Sequence, residues 1–312
     1  MTKSKEQPSK LSFIQELEEW KSLFLQHQSN EQKSRNTLAL DEREIDAFIE
    51  FCRGEEEVER LEDISKLLMS AYFNHRREQY YKIHKRDISA QSLNIAISRL
   101  KVFFGFISDN HDEFLDLSSS MKKIRKIHTY AELPRFSIEE NNKIALSLQA
   151  LGASIKQVRR RKILFAIALL FYGGLRSMEV LNLKGSDITL QSNTEGKLFY
   201  VLSIVGKGGK RREVPILKSK IESFEDVFLE VDGELFEFGY RAFHRSTQRF
   251  LKNAGVKNLS GNHAFRHNFA SNLIRKNVNM QVISQTLGHS DISITARFYS
   301  RVALDNQMKA LG

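Results

Sequence analysis

Six side chains in the second half of this 312-residue chain have the types and settings for chemistry on a phosphate. Arg176 stands in GGLRSMEVL, Lys207 in GKGGK, His263 and Arg266 in HAFRH, His289 in LGHSD and Tyr299 in ARFYSR. Charge gathers on the phosphate oxygens in the transition state, so donors fixed around them speed transfer. Two guanidiniums supply planar, paired donors that stay protonated at any working pH. A tyrosine hydroxyl is a competent nucleophile once its proton is removed or its oxyanion is stabilised by cations. A lysine can protonate a departing alkoxide, and histidines can bond the remaining oxygens or relay protons. In such a set the cations take the place of a metal ion, so neither a metal nor another cofactor is expected. Singly, each residue has a plainer reading: a surface arginine, a helix-capping histidine, a loop lysine, a half-buried tyrosine. Their order and settings together favour the chemical one.

Other chemistries fall away on spacing. GKGGK lacks the G-x-x-x-x-G-K-[ST] pattern of a nucleotide-binding loop. His263 and His267 have zinc-ligand spacing, but Ala264 stands where the H-E-x-x-H motif needs its glutamate. No serine sits in a G-x-S-x-G elbow. The single cysteine, Cys52, excludes an intramolecular disulfide and a multi-cysteine zinc site, and it suits a reducing compartment. MTKSKEQPSK lacks the apolar segment of a secretory signal, and the best apolar stretch, 163–171, is half a membrane span.

Hydrophobic periodicity supplies the elements that must hold these side chains. Apolar residues at helical spacing predict helices over 11–25, from Leu40 to Gly54, over 61–73, and from a Ser89 N-cap through Ile107. The segment from Met121 to Glu140 is basic and interrupted by Pro134, as an interdomain linker would be. Helices over 137–151 and 155–171 follow, the second apolar enough to be buried. Segments 198–205 and 212–217 read as strands joined by the hairpin loop Gly206–Lys210, and the chain is helical again beyond Tyr240. Arg176 then falls between two helices, Lys207 on the hairpin loop, His263 and Arg266 on one face of a helical turn, and His289 just past Gly288 at a helix end. The fold class is mainly α, an all-helical first domain before an α-rich second domain with a small antiparallel sheet.

The net charge of +10 and isoelectric point near 9.5 are unevenly placed. Residues 1–63 hold 9 Lys and Arg against 16 Asp and Glu, residues 64–128 hold 12 against 6, and residues 129–312 hold 27 against 16. Two basic blocks behind an acidic head point to a polyanionic partner.

At this point the chain resembles the tyrosine recombinase (phage integrase) family and the Xer-like recombinases within it. The family's active-site order of Arg, Lys, His-x-x-Arg, His or Trp, and Tyr is matched by Arg176, Lys207, His263-Ala264-Phe265-Arg266, His289 and Tyr299. GLRSMEV, with Glu179 at the usual acidic position, GKGGKRREVPI, HAFRHNFAS and LGHSDISIT resemble the surrounding boxes, and LPRFSIEE resembles the stretch that leads into the catalytic domain. Tyr299 lies ten residues after His289, where many Xer proteins have nine.

The resemblance implies a helical core-binding domain over 1–127, a basic linker over 128–136 and a catalytic domain over 137–312. It implies a site-specific recombinase in which Tyr299 forms a 3′-phosphotyrosyl link, Arg176 and Arg266 hold the non-bridging oxygens with His263 and His289 assisting, and Lys207 protonates the leaving 5′-oxygen. Strands would exchange through a Holliday junction in a homo-tetramer on two double-stranded DNA sites, in the cytoplasm at the nucleoid, with no membrane partner. The segment after Tyr299 would dock into a neighbouring protomer, and both domains would close around the duplex. Phosphate contacts are expected from Lys122, Lys123, Arg125, Arg159, Arg160, Arg161, Lys210, Arg211 and Arg212, with the helix after Ser89, flanked by Lys85 and Arg86 and carrying Arg99 and Lys101, in a major groove. The alternatives are a strand-relaxing enzyme of the type IB topoisomerase kind and a DNA-binding protein that keeps the fold without the activity.

Overall fold

The computed structural model describes residues 10–111, 115–122, 124, 127, 136–206, 209–257 and 261–289. The chain divides into two compact units, Met1–Ala131 and Glu132–Gly312.

The first unit is helical: α1 (Lys10–Asn30), α2 (Arg35–Gly54), α3 (Lys66–His84), α4 (Ala90–Asn110) and the short α5 (Leu117–Lys122). Serines start three of these helices. Ser34, Ser65 and Ser89 each accept the backbone N–H three residues on, satisfying a donor that the first turn leaves unpaired. Ser34 therefore opens α2 five residues before the expected Leu40. The third helix begins only after a 3-10 turn at Leu61–Asp63 and continues well past Phe73, because the polar run to His84 is a solvated extension without an apolar period. The apolar faces meet in one core that includes Phe13, Leu17, Phe24, Phe48, Tyr72, Phe103 and Phe104, with Cys52 sealed inside it. Among the described residues two carboxylates are buried here, and each has an arginine: Asp41 with Arg99 at 3.3 Å and Glu44 with Arg76 at 2.6 Å. Two of the cations expected to face DNA from α4 have partners within the unit. Arg99 is paired inward, and the Lys101 ammonium donates to the Ile124 carbonyl at 3.1 Å, so both cations fasten the helix within its own unit.

The second unit opens with α6 (Ile138–Ser154), started by a reciprocal cap in which Ser137 and Glu140 each accept the other's backbone N–H. Then come α7 (Val158–Gly173), α8 (Ser177–Leu181), β1 (Ile188–Ser192), β2 (Leu198–Val205) and β3 (Arg211–Leu217). The short α9 (Lys218–Ile221) and α10 (Glu225–Phe228) precede α11 (Tyr240–Asn253), α12 (His263–Arg275) and α13 (Met280–Leu287). Nearly all of α7 from Leu164 to Phe171 is buried, and it packs against α6, α8, α10, α11 and α12. The sheet is antiparallel in the order β1-β2-β3, with Leu202 opposite both Ile188 and Val214. Tyr200, Leu202 and Ile204 alternate inward on β2, matched by Val214 and Ile216 on β3. The hairpin expected from the sequence is thus the larger part of a three-stranded sheet. No helix among the described residues is long and apolar enough to cross a membrane.

Candidate active site

Arg176 follows the glycine pair that ends α7. Gly174 takes φ +62° as the C-cap, which turns the chain sharply and places Arg176 as the residue that starts α8. Glu179, one turn on, accepts the Arg176 backbone N–H at 2.8 Å on Oε2 and its Nη1 at 2.7 Å on Oε1. The same carboxylate accepts two bonds from β3: Arg212 Nη1 at 3.0 Å and Nη2 at 2.8 Å. Glu179 is therefore a buried carboxylate with four donors. Burial alone would push its carboxyl up, but the bonds from Arg212 and Arg176 and the Arg212 charge outweigh that and hold it below the usual range.

Arg266 reaches the same place from the first turn of α12. Its side chain is buried and, among the described residues, bonds only neutral oxygens: Nη1 donates to the Gly174 carbonyl at 3.1 Å, and Nη2 donates to the Leu287 carbonyl at the end of α13. These bonds tie the α7–α8 turn, α12 and α13 together. Burial, then the Arg176 and Arg212 charges, push the Arg266 guanidinium down to about 9, so it stays charged at neutral pH. Asn262, at the N-terminus of α12, donates to the Ser177 hydroxyl at 3.0 Å and joins the Arg176 turn to the turn that carries His263.

His289 follows Gly288, the left-handed C-cap of α13 at φ +64°. Burial, then Arg266, Arg176, Arg212 and His267, push its imidazole down to about 4. His267, one turn past His263, is pushed down to about 4 by burial, His263 and Arg266. His263 is the most exposed of the three, and desolvation, Arg266 and Arg176 lower it as well. At neutral pH all three rings are neutral, able to accept a proton or donate an N–H. Among the described residues no group of three His, Cys, Asp or Glu side chains is placed to hold a metal ion.

Four of the six sequence-predicted residues, Arg176, His263, Arg266 and His289, therefore come together from three separate chain segments. Lys207 and Tyr299 lie outside the described residues, as do Lys123, Arg125 and the side chain of Lys122. Flanking Lys207, the Gly206 N–H donates to the Lys210 carbonyl at 2.8 Å and closes the hairpin loop.

The expected phosphate contacts divide. Arg159, Arg160, Lys210 and Arg211 are exposed and make no ion pair with a described residue. Arg161 is corrected: it pairs with Asp226, with Nε to Oδ2 at 2.7 Å, and its Nη1 donates to the carbonyls of Gly152 and Ile155 at 2.7 and 2.9 Å. It pins α6 to α7 and α10, with a side chain only 12% exposed. Arg212 is corrected too, since its donors are turned to Glu179 and the Thr286 carbonyl. In exchange, α11 shows a basic stripe that the motifs did not single out. Arg241, Arg245, Arg249 and Lys252 are exposed along one face, opposite the buried Phe243, Phe250 and Leu251. The four-residue spacing of the three arginines was the available signal.

The phage integrase family model matches residues 140–305 of this chain. The tyrosine recombinase XerD of Rickettsia conorii is 28% identical over 254 residues, covering 72% of this chain and 78% of that protein. The tyrosine recombinase XerA of Thermococcus kodakarensis is 30% identical over 242 residues, covering 73% of this chain and 77% of that protein. The fold is similar to that of the XerH site-specific recombinase in a crystal structure of its post-cleavage complex with a palindromic difH substrate. That match has a TM-score of 0.74 at 20% identity and covers 98% of this chain and 97% of the other.

Proposed function

The chain belongs to the phage integrase family, and from that premise we propose that it is a site-specific DNA recombinase cutting and rejoining strands through Tyr299. The observation that carries the reading is the convergence of Arg176, Arg266, His263 and His289, held by bonds that leave the cluster strongly positive. A phosphodiester is an anion of the size and charge such a cluster takes. Arg176 and Arg266 bind the two non-bridging oxygens and stabilise the charge that grows on them. The Tyr299 oxygen attacks phosphorus, and its proton passes to neutral His263. The bond to the 5′-oxygen breaks, Lys207 gives that oxygen a proton, and a 3′-phosphotyrosyl link remains. His289 donates a hydrogen bond to a phosphate oxygen. The link keeps the energy of the phosphodiester, so a 5′-hydroxyl from a second duplex can attack it and exchange the strands.

Strand exchange joins two double-stranded sites, and the assembly we assign is a tetramer with two protomers on each. Among the described residues, the DNA contacts we assign are Arg159, Arg160, Lys210 and Arg211, which are exposed, together with the exposed α11 stripe, whose arginines have the donor geometry for guanine edges as well as phosphates. The helical unit over 1–131 supplies further DNA binding through its basic second half.

The experiment is trapping on a nicked suicide substrate. The wild type should accumulate a covalent protein–DNA adduct, and Tyr299→Phe should form none. An adduct that persists in Tyr299→Phe places the nucleophile elsewhere. Relaxed plasmid without recombinant product would assign a strand-relaxing enzyme instead.

A further inference from the structure

We propose that Arg212 is a positioning residue of the recombination site: one buried guanidinium that sets Arg176 through Glu179 and, by its other edge, sets the turn that presents His289. The inference rests on the proposed function of that cluster and assigns a role to a residue outside the six.

The geometry is two-sided. Towards α8, Arg212 grips both oxygens of Glu179 at 3.0 and 2.8 Å, and the same two oxygens hold the Arg176 backbone and guanidinium at 2.8 and 2.7 Å. A carboxylate with a single partner can swing about its last torsion, whereas one gripped in its plane by a fork of donors cannot. The Arg176 guanidinium is thus referred to β3 as well as to its own helix. Towards α13, Arg212 Nε donates to the Thr286 carbonyl at 2.8 Å, three residues before His289. Its guanidinium also lies against Gly288: a Cβ there would fall 3.0 Å from Arg212 Cδ and 3.1 Å from Nη1. Gly288 is required for the left-handed turn and for the room that Arg212 occupies.

The side chain is 10% exposed, too deep for the phosphate contact expected from its place in KRREVP. Lys cannot replace it, because the role uses an in-plane fork and a third donor at a fixed angle, and an ammonium offers a point charge. Placing this residue on β3, just past the loop that carries Lys207, means that the strand anchoring the lysine hairpin also braces Arg176 and His289.

The test compares the wild type with Arg212→Met and Arg212→Lys on the suicide substrate, measuring DNA affinity, its salt dependence and the single-turnover cleavage rate at saturating DNA. Arg212→Met should cleave about 100-fold more slowly, the loss that small misplacement of a reacting group produces, while the dissociation constant and salt slope stay within twofold of wild type. Arg212→Lys should keep the charge yet recover only a minor part of the rate. Adding Glu179→Gln to Arg212→Met should slow cleavage by no more than a further threefold, since both act on Arg176 through one contact. A weaker affinity with a shallower salt slope and full cleavage at saturation would make Arg212 a phosphate contact, and full-rate cleavage by Arg212→Lys would remove the need for the fork. Either result overturns the proposal.

A second readout needs no activity: NMR titration of the His289 imidazole in the free protein. The groups facing it are Arg212 from β3, Arg176 from the start of α8, and Arg266 and His267 from α12. The midpoint should rise in Arg212→Met and stay near the wild-type value in Arg212→Lys; an unmoved midpoint in Arg212→Met overturns the link to His289. If the wild type forms no adduct while this shift is seen, the recombinase reading fails and the placement of the Arg212 charge against the His289 turn stands.

Discussion

Gly174→Ala should damage the fold and the site together. Gly174 has φ +62°, and a Cβ built on it falls 2.4 Å from Cδ1 and 2.7 Å from Cγ of Phe269 on α12. Holding alanine in the left-handed region costs about 1–2 kcal/mol. Forcing the Phe269 ring aside is an overpacking of about 1–3 kcal/mol, and the stiffer unfolded chain returns about 0.4–1 kcal/mol. The net loss centres on roughly 2–3 kcal/mol, which for a unit of this size lowers the melting midpoint by about 4–12 °C. The functional effect has its own route, since the Gly174 carbonyl accepts Arg266 Nη1 at 3.1 Å. A shift of α12 away from the new methyl group stretches that bond. Thermal unfolding of the full chain and suicide-substrate trapping read the two effects. Gly173→Ala is the control, because its new Cβ meets the terminal Cδ1 of Ile216 at 3.1 Å and Gly173 has no positive φ. Gly174→Ala melting within 0.5 kcal/mol of wild type would refute the reasoning, as would Gly173→Ala proving the more harmful of the two.

Two further outcomes follow from the charges. His267 and His289 titrate at about 4 in the folded protein against 6.5 for a free imidazole. The unfolded chain takes up their protons first, so stability should be level above about pH 7 and fall as pH drops from 6.5 towards 4; replacing each with Gln should flatten that fall in melting curves taken across this range, and an unchanged slope would contradict it. On α11, Arg245→Ala and Arg249→Ala should each lower the slope of log affinity against log salt by about 0.9, the share of one neutralised phosphate. An unchanged slope in filter-binding titrations would remove the stripe from the interface.

The elements with strong periodicity were the ones legible from residues alone. Ser89 and the apolar series from Leu93 to Ile107 define α4, and the alternation of β2 and β3 defines the hairpin. β1 was not legible, because Ile188–Ser192 is mostly exposed and offers a single apolar pair, Ile188 and Leu190, too short a run to set a period. The second half of α3 was hidden for a related reason: beyond Phe73 its residues face solvent, and helix there continues without a core to pattern it. At the site, order and local setting were enough to single out Arg176, His263, Arg266 and His289. The roles of Arg161 and Arg212 were not, since Asp226 and Glu179 lie 65 and 33 residues away along the chain. Nothing local distinguishes an arginine with a distant carboxylate from one that faces solvent.

The choice of partner explains how this cluster can be both rigid and positive. Arg176, Arg212 and Arg266 approach one another around one carboxylate, Glu179. An arginine fixed by its own carboxylate would be equally well placed but electrically neutralised, with little attraction left for a phosphate. Arg266 is fixed instead by carbonyl oxygens from Gly174 and Leu287, which take one donor from each Nη and leave its charge and its other donors for a phosphate. Glu179 neutralises one of the remaining two guanidiniums and aligns both. Burial keeps the histidines uncharged, so they add hydrogen-bonding capacity without adding to the repulsion. What remains is repulsion among fixed cations, which penalises the free protein and is relieved when an anion enters. Because those cations do not have to move to meet the charge that builds on phosphorus oxygens, their arrangement favours the transition state over the ground state.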